Sequence, residues 1–227
     1  MKLLTRMMAL MSFLVMVQYA NAAGNSVYVD QIGDGSTINI TQTGNSNAVG
    51  NTSAKATFNG NNNTVTVDQI GNSNIANLNV SGSGATISSI TNGNSNSVEI
   101  NCGATGDCSG STINQNITGN GNATTINSDN LTNTTLNVNS DNNTVNIDNT
   151  STASAGTKNN IDISGGGGNQ VAITQSGAAG VNGHETDLTI VGATNAVDFK
   201  QGGSVDSKII STINGSGNNL TVKSNHN

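Results

Sequence analysis

The sequence predicts an all-β fold: a β-solenoid in which strand–turn–strand units of about 22 residues stack as parallel, in-register coils. Three observations predict it: an eleven-residue repeat, alternation of apolar and polar residues within each repeat, and an unusual composition. The 227 residues include 41 Asn and 28 Gly, no Pro, and only 2% aromatic residues. Backbone pairing and polar stacking would therefore have to supply the order that large aromatic cores supply elsewhere.

The repeat begins as Asn25-Ser-Val-Tyr-Val-Asp-Gln31 and returns eleven residues later as Ser36-Thr-Ile-Asn-Ile-Thr-Gln42. Its third and fifth residues are apolar, which is the period of a strand with one buried face. Four-residue turns such as residues 32–35 separate the copies, and their Gly and Asn residues tolerate the positive φ of tight turns. One unit cannot bury its apolar face alone, so the units are expected to stack.

We expect the first and last residues of the repeats to form ladders between coils. A side-chain amide can donate to the residue on one side and accept from the residue on the other side. The predicted ladder residues are Asn25, Gln31, Ser36, Gln42, Asn63, Gln69, Asn74, Asn169, Gln175, Asn195 and Gln201.

Residues 1–22 have the features of a secretory signal peptide. Lys2 and Arg6 precede an apolar run over residues 7–17, and Ala20-Asn-Ala22 is a small-x-small cleavage site. The apolar run is shorter than the roughly 20 residues needed to cross a bilayer. We therefore expect residues 23–227 to be exported as one repeat domain with no membrane span; an uncleaved anchor is the alternative.

Composition disfavours several functional classes. The net charge of −6 leaves no basic patch for phosphates, so we expect no nucleic-acid partner. Intrinsic disorder usually comes with high charge and proline, whereas only 9% of this chain is charged. We also expect no enzymatic activity, no cofactor and no metal site. His184, Glu185 and Asp187 are close in sequence, but the strand pattern points Thr186, Leu188 and Ile190 inward and predicts His184 in a turn.

Cys102 and Cys108 are the only cysteines. In an exported chain such a pair favours a disulfide that closes a short loop, here at a break in the eleven-residue step. Free thiols are the next alternative, and a metal site is the least favoured one.

The spacing Asn25-x5-Gln31-x4-Ser36-x5-Gln42 resembles the curlin repeat, Ser-x5-Gln-x4-Asn-x5-Gln. Residues 63–80 match with Val80 in place of the last Gln, residues 169–224 match in part, and residues 85–165 mostly lose the Gln. The Gly/Asn-rich secretion segment that precedes the repeats in the major subunits of that family is absent between the expected leader and Asn25.

Curlins are the subunits of curli, the extracellular amyloid fibres with which bacteria build biofilms and adhere to surfaces. The resemblance implies that residues 23–227 form a curlin-like β-solenoid, secreted and held in a fimbrium-like fibre at the cell surface. It also implies self-association into fibres, with other curlin-type subunits and an outer-membrane secretion apparatus as partners.

The alternative is a discrete secreted β-solenoid, such as an adhesin or an ice-binding protein, that does not polymerise. Ice binding would need a regular Thr array, and Thr64, Thr66, Thr134 and Thr135 look too scattered in the sequence to make one. Open ends favour polymerisation, because nothing in the sequence blocks the first repeat and only Lys223 could weakly block the last. Asp30, Asp68 and Asp198 on the outer faces would either slow stacking as gatekeepers or simply keep the chain soluble.

Overall fold

The computed structural model describes residues 14–20, 24–103, 108–128, 132–148, 157–176, 184–203 and 206–226. Within these ranges the fold is built from strands and turns and contains no helix. The strands form two nine-stranded sheets and one three-stranded sheet, and all neighbouring strands are parallel. The predicted all-β, parallel, in-register β-solenoid is confirmed.

Sheet A holds the longer strands. Its order is β1 (Leu14–Ala20), β4 (Thr37–Thr43), β7 (Thr64–Ile70), β10 (Thr86–Asn92), β12 (Thr112–Thr118), β14 (Thr132–Asn139), β16 (Thr157–Ser164), β18 (His184–Val191) and β20 (Ser207–Asn214).

Sheet B runs along the other side of the core, with short strands first and longer ones towards the carboxyl end. Its order is β2 (Ser26–Val27), β5 (Ala48–Val49), β8 (Ile75–Ala76), β11 (Ser97–Glu99), β13 (Ala123–Thr125), β15 (Thr144–Asn146), β17 (Gln170–Gln175), β19 (Ala196–Gly203) and β21 (Asn219–His226). In the first three coils, a short strand of sheet C follows the sheet B strand along the chain. Sheet C has the order β3 (Val29–Ile32), β6 (Ala56–Asn59) and β9 (Asn79–Ser81).

The alternation of apolar residues builds a narrow core between the sheets. In sheet A, Ile38 stacks on Val65, Val65 on Ile87, and Ile87 on Ile113, and all four are at most 1% exposed. Among the described side chains, Phe58 and Phe199 are the aromatic rings of the buried core. Because each described strand contributes at most two buried apolar side chains, burial depends on having neighbouring coils on both sides.

The coils differ in length, whereas the sequence predicts a constant length of about 22 residues per coil. Turn residues in contact between neighbouring coils are 21 to 27 positions apart in sequence. Much of this variation comes from insertions after the sheet B strands. One is the loop over residues 51–55, in which the Asn51 side chain accepts hydrogen bonds from the N–H groups of Ser53 and Ala54 at 2.8 and 2.7 Å. Such loops lengthen a coil without changing the register of the strands around it.

Part of the expected signal peptide, β1, forms the edge strand of sheet A. β1 pairs with β4 in register, from Leu14 opposite Thr37 to Ala20 opposite Thr43, whereas residues 1–13 and 21–23 lie outside the described ranges. The sequence interpretation set residues 1–22 apart from the solenoid. An apolar segment of strand length can nevertheless occupy an open sheet edge, because the edge offers unpaired N–H and C=O groups. No helix among the described residues is long and apolar enough to cross a membrane.

Glycines at the turns allow the coils to approach one another closely. Gly71 has φ +116°, and a Cβ placed on it would lie 1.9 Å from the carbonyl oxygen of Gly93 in the next coil. Gly84 also has a positive φ, +72°, but a Cβ there would meet nothing within 4 Å.

We predict that Gly71→Ala lowers the free energy of unfolding by about 3 kcal/mol or more, because the turn must move away from the next coil. Gly84→Ala is the control and should cost only the roughly 1–2 kcal/mol of a left-handed alanine. Chemical denaturation of both variants measures the difference. Equal losses would mean that the close approach at Gly71 does not determine turn stacking.

Candidate assembly interface

Nine asparagines form a continuous ladder at the corner where the chain passes from sheet A to sheet B; we call it the corner ladder. Its members are Asn25, Asn47, Asn74, Asn96, Asn122, Asn143, Asn169, Asn195 and Asn218. At each of the eight steps, the backbone N–H of one Asn donates to the Oδ1 of the Asn in the preceding coil, at 2.9–3.1 Å.

The side-chain amides of the corner ladder are used in both directions. The Nδ2 of Asn96 donates to Asn74 Oδ1 at 3.0 Å and to the carbonyl oxygen of Gly119 in the following coil at 2.8 Å. Asn195 makes the equivalent bonds to Asn169 Oδ1 and the Gly215 carbonyl, at 3.1 and 2.9 Å. From Asn47 to Asn195 these side chains are at most 1% exposed. Because the amides are buried and hydrogen-bonded, removing one member leaves buried groups of the preceding and the following coil without a hydrogen-bond partner.

The corner ladder contains four of the predicted ladder residues: Asn25, Asn74, Asn169 and Asn195. Sequence reasoning left the other members out of the predicted set. A signal for three of the nine members was available, because the tetrapeptide Gly-Asn-Ser-Asn ends at Asn47, Asn74 and Asn96.

A shorter ladder occupies the opposite corner. Ser36 Oγ accepts the N–H of Asn63 at 3.1 Å, and Asn63 in turn accepts the N–H of Ala85 at 2.9 Å through Oδ1. The Nδ2 of Asn63 donates to the Gly82 carbonyl at 2.9 Å. Ala85 has no side-chain oxygen, so this side-chain ladder ends there.

The predicted glutamines pair in two places. Gln42 donates to Gln69 Oε1 at 2.8 Å in the core, and Thr91 occupies the next register position, which ends the glutamine column. Gln31 does not meet another Gln, because Phe58 occupies the register position beside it. Among the described residues the buried Oε1 of Gln31 has no hydrogen-bond partner.

Near the carboxyl end, Gln175 and Gln201 are 3.4 Å apart between Oε1 and Nε2. Thr186 links them, since its hydroxyl donates to Gln175 at 2.6 Å and accepts from Gln201 at 3.0 Å. His184 was expected in a turn, but it is the first residue of β18 and is fully buried, with Nδ1 2.7 Å from Ser207 Oγ. The inward alternation of Thr186, Leu188 and Ile190 simply extends one step further back, to residue 184.

Charged groups lie on the outer faces. Glu185 sits between Lys158 and Lys208, at 3.3 and 3.0 Å, and hydrogen bonds to these two ammonium groups hold the pKa of its carboxyl below the usual range. Of the three candidate gatekeepers, Asp30 pairs with Lys55 and Asp198 with Lys200, each at 3.7 Å. Exposed pairs of this kind contribute little to stability.

Asp68, the third candidate gatekeeper, is half-buried on the outer face of sheet A. Burial raises the pKa of its carboxyl above the ordinary value of 3.8. Its Oδ1 has no hydrogen-bond partner within the described ranges. Its ionised form is therefore less favourable in the folded protein than in the unfolded chain.

Cys102 and Cys108 form a disulfide, with a Cα–Cα distance of 5.3 Å, and both are fully buried. The backbone N–H of Cys108 donates to the Ser81 carbonyl of β9 at 2.7 Å. Cys108 therefore lies against the last strand of sheet C, where its N–H takes up a main-chain acceptor that a further strand would have used.

The two terminal coils leave apolar side chains incompletely covered. Val27 and Val29 are half-buried, whereas Val49 and Ala56, beside them in the next coil, are fully buried. Leu220 and Val222 are likewise half-buried, whereas their neighbours Val197 and Phe199 are at most 4% exposed. The core of the solenoid is thus open at both ends of sheet B.

Comparison of the chain with family models, with curated proteins and with solved structures found no match. Among the described residues, no three His, Cys, Asp or Glu side chains come together as a metal site would require. The features that distinguish the molecule are therefore its ladders and its open ends.

We predict that Asn96→Ala lowers the free energy of unfolding by about 2–4 kcal/mol. The substitution leaves Asn122, Asn74 and the Gly119 carbonyl without their buried partner. Asn94→Ala removes an exposed turn amide two residues away and should cost less than about 1 kcal/mol. Chemical denaturation measures both losses, and similar small losses would show that the corner ladder contributes little.

We predict that Asp68→Asn stabilises the protein at neutral pH by less than about 1 kcal/mol, because solvent still screens this half-buried group. A raised folded-state pKa means that ionisation costs stability, so the wild type regains stability as pH falls through that pKa. The advantage of the variant should therefore shrink on acidification and vanish below pH 3.8. Unfolding curves at neutral and acid pH test this, with the exposed Asp187→Asn as control; a gain that does not depend on pH would contradict it.

Proposed function

We propose that residues 23–227 form a structural subunit of an extracellular, curli-type amyloid fibre that supports biofilm formation and adhesion to surfaces. The observation that carries the proposal is the corner ladder, which repeats one hydrogen-bond unit from coil to coil between Asn25 and Asn218. A fibre continues this same unit from one chain to the next. In-register parallel stacking with amide ladders is the architecture from which amyloid derives its stability.

The open ends give the fibre its means of growth. Half-buried Val27 and Val29 at one end and Leu220 and Val222 at the other can complete their burial only against another coil. Edge strands of discrete proteins are normally protected by charge, Pro, bulges or covering segments. The chain contains no Pro, and only Lys223 adds a charge among the described side chains of β21.

The resemblance of residues 25–42 and 63–80 to the curlin repeat extends the proposal to export and partners. On that basis the chain is exported behind a leader of residues 1–22. Other curlin-type subunits and an outer-membrane secretion apparatus are its partners, and the fibre stays at the cell surface. Because the Gly/Asn-rich segment of the family's major subunits is not found between residue 22 and Asn25, a minor subunit, a nucleator or a divergent paralogue fits better than the principal subunit.

We predict that the purified chain polymerises at micromolar concentrations into fibres that bind thioflavin T and resist boiling in detergent. Their diffraction should show a meridional spacing of about 4.8 Å, the distance between neighbouring strands. Gly71→Ala is the matched control, because it disturbs coil stacking and should slow or abolish fibre formation. A wild-type chain that stays monomeric for days and melts cooperatively would overturn the proposal.

That opposite outcome would favour the second candidate, a discrete solenoid that binds a surface such as ice. One observation supports it: Thr37, Thr64, Thr86 and Thr112 stack in a single column on the outer face of sheet A. The column is more regular than the sequence suggested, although the neighbouring column mixes Asn39, Thr66 and Ser88. Inhibition of ice recrystallisation by the monomer would identify this function.

A further inference from the structure

The corner ladder has a direction. At every step the N–H belongs to the later coil and the accepting Oδ1 to the earlier one. Within the described part of the chain, the ladder therefore begins at the N–H of Asn25, with no asparagine before it, and ends at the exposed side chain of Asn218, with no asparagine after it. The two ends are complementary rather than alike.

We propose that a second copy of this chain docks on β21 through its own β2 and β3, with Asn25 of one copy stacked on Asn218 of the other. This inference rests on the proposed self-association and specifies the joint: sheet B continues from copy to copy, in parallel and in one register. The N–H of Asn25 then donates to the Oδ1 of Asn218, which repeats the step already made eight times within the chain.

The apolar residues match in this register. Counting along both strands from the Asn218–Asn25 rung places Leu220 beside Val27 and Val222 beside Val29. All four are half-buried members of the core in the single chain. Stacking would complete their burial in the way that Val197 and Phe199 are already buried beneath β21.

The polar residues match as well. Ser224 comes beside Gln31, whose buried Oε1 has no partner among the described residues, and a hydroxyl is a suitable donor for it. Lys223 comes beside Asp30 on the outer face. Within the chain Lys223 stacks on Lys200, a like charge, so a carboxylate on its other side is favourable. Registers shifted by one residue would lose all of these matches, because successive side chains point to opposite faces.

Sheet A takes part in the joint through β1. The place beside β20 in the next coil corresponds to β1 of the following copy, since β1 and β2 belong to the same coil. A chain that begins at residue 23 lacks this strand, so its joint would be made by sheet B alone and sheet A would have one open place per copy.

The test is a charge swap in the full-length chain, with elongation measured by thioflavin T on seeds of the same variant at low ionic strength. Asp30→Lys and Lys223→Asp each place like charges side by side and should slow elongation roughly fivefold. The double variant restores an opposite pair across the joint and should elongate faster than either single variant on its own seeds, but not on wild-type seeds. Its rate should stay somewhat below that of the wild type, because Asp30→Lys also places an ammonium group beside Lys55. High salt should reduce all of these differences.

Asp187→Lys is the matched control, because it makes the same charge change as Asp30→Lys at an exposed position of sheet A that β16 and β20 flank on both sides, outside the sheet B joint, and it should leave elongation unchanged. A second arm uses cysteines: Asp30→Cys combined with Lys223→Cys should form disulfides between copies in fibres, since neighbouring parallel strands hold Cα atoms within disulfide range. Asp30→Cys with Asp187→Cys should not.

The possible results distinguish failure of the proposed contact between copies from failure of the proposed fibre function. Wild-type fibres whose growth is insensitive to both charge reversals, or whose cysteine pair fails to cross-link, would overturn this register and leave the fibre function intact. A wild-type chain that forms no fibres at all would overturn the proposed function, and this joint with it.

Discussion

The structure depends on one constraint: every residue must fit against the residue that occupies the same place in the next coil. Parallel in-register stacking brings equivalent positions within hydrogen-bond distance. A side chain at the corner must therefore donate a hydrogen bond to the same residue type in one neighbouring coil and accept one from the same residue type in the other. Asparagine does this without strain, because its amide carries two donors and an acceptor on a short stem. The buried ladder from Asn47 to Asn195 satisfies that constraint coil after coil, and the turn glycines allow the coils to come close enough for it to form.

The same constraint explains the composition. At most two buried apolar side chains per described strand fill a core this thin, so there is little space for large rings, and Phe58 and Phe199 are the buried rings among the described residues. Like charges repeated at one register position would repel along the whole column, so few charges are tolerated. Lys158, Glu185 and Lys208 alternate in sign along one column, whereas Lys200 and Lys223 are stacked like charges. Absence of Pro keeps a backbone donor available at every position of every strand.

The alternation of apolar residues was enough to predict the fold class and the inward-facing side of most strands, because strand period and burial follow directly from sequence. The contacts between coils were predicted less well, since they depend on the total length of each coil, and these lengths vary from 21 to 27 residues. Gln31 illustrates the difficulty: its repeat motif is complete, yet Phe58 lies beside it. The prediction of a turn at His184 was wrong because the inward alternation was followed only from Thr186 onwards, whereas the strand begins at His184 itself.

Because the ladder has a direction, its two ends are different, and contacts between like ends and between unlike ends are not equivalent. Two amino-terminal ends would bring two N–H groups together at Asn25, and two carboxyl-terminal ends would bring two Asn218 side chains and two Lys223 ammonium groups together. Only the joining of unlike ends pairs donor with acceptor and Lys223 with Asp30. The proposed head-to-tail contact would extend into a filament rather than a closed dimer, because stacking along the solenoid axis leaves one end open at every step. If the chain assembles in this way, the direction of its internal hydrogen bonds sets the polarity of the fibre.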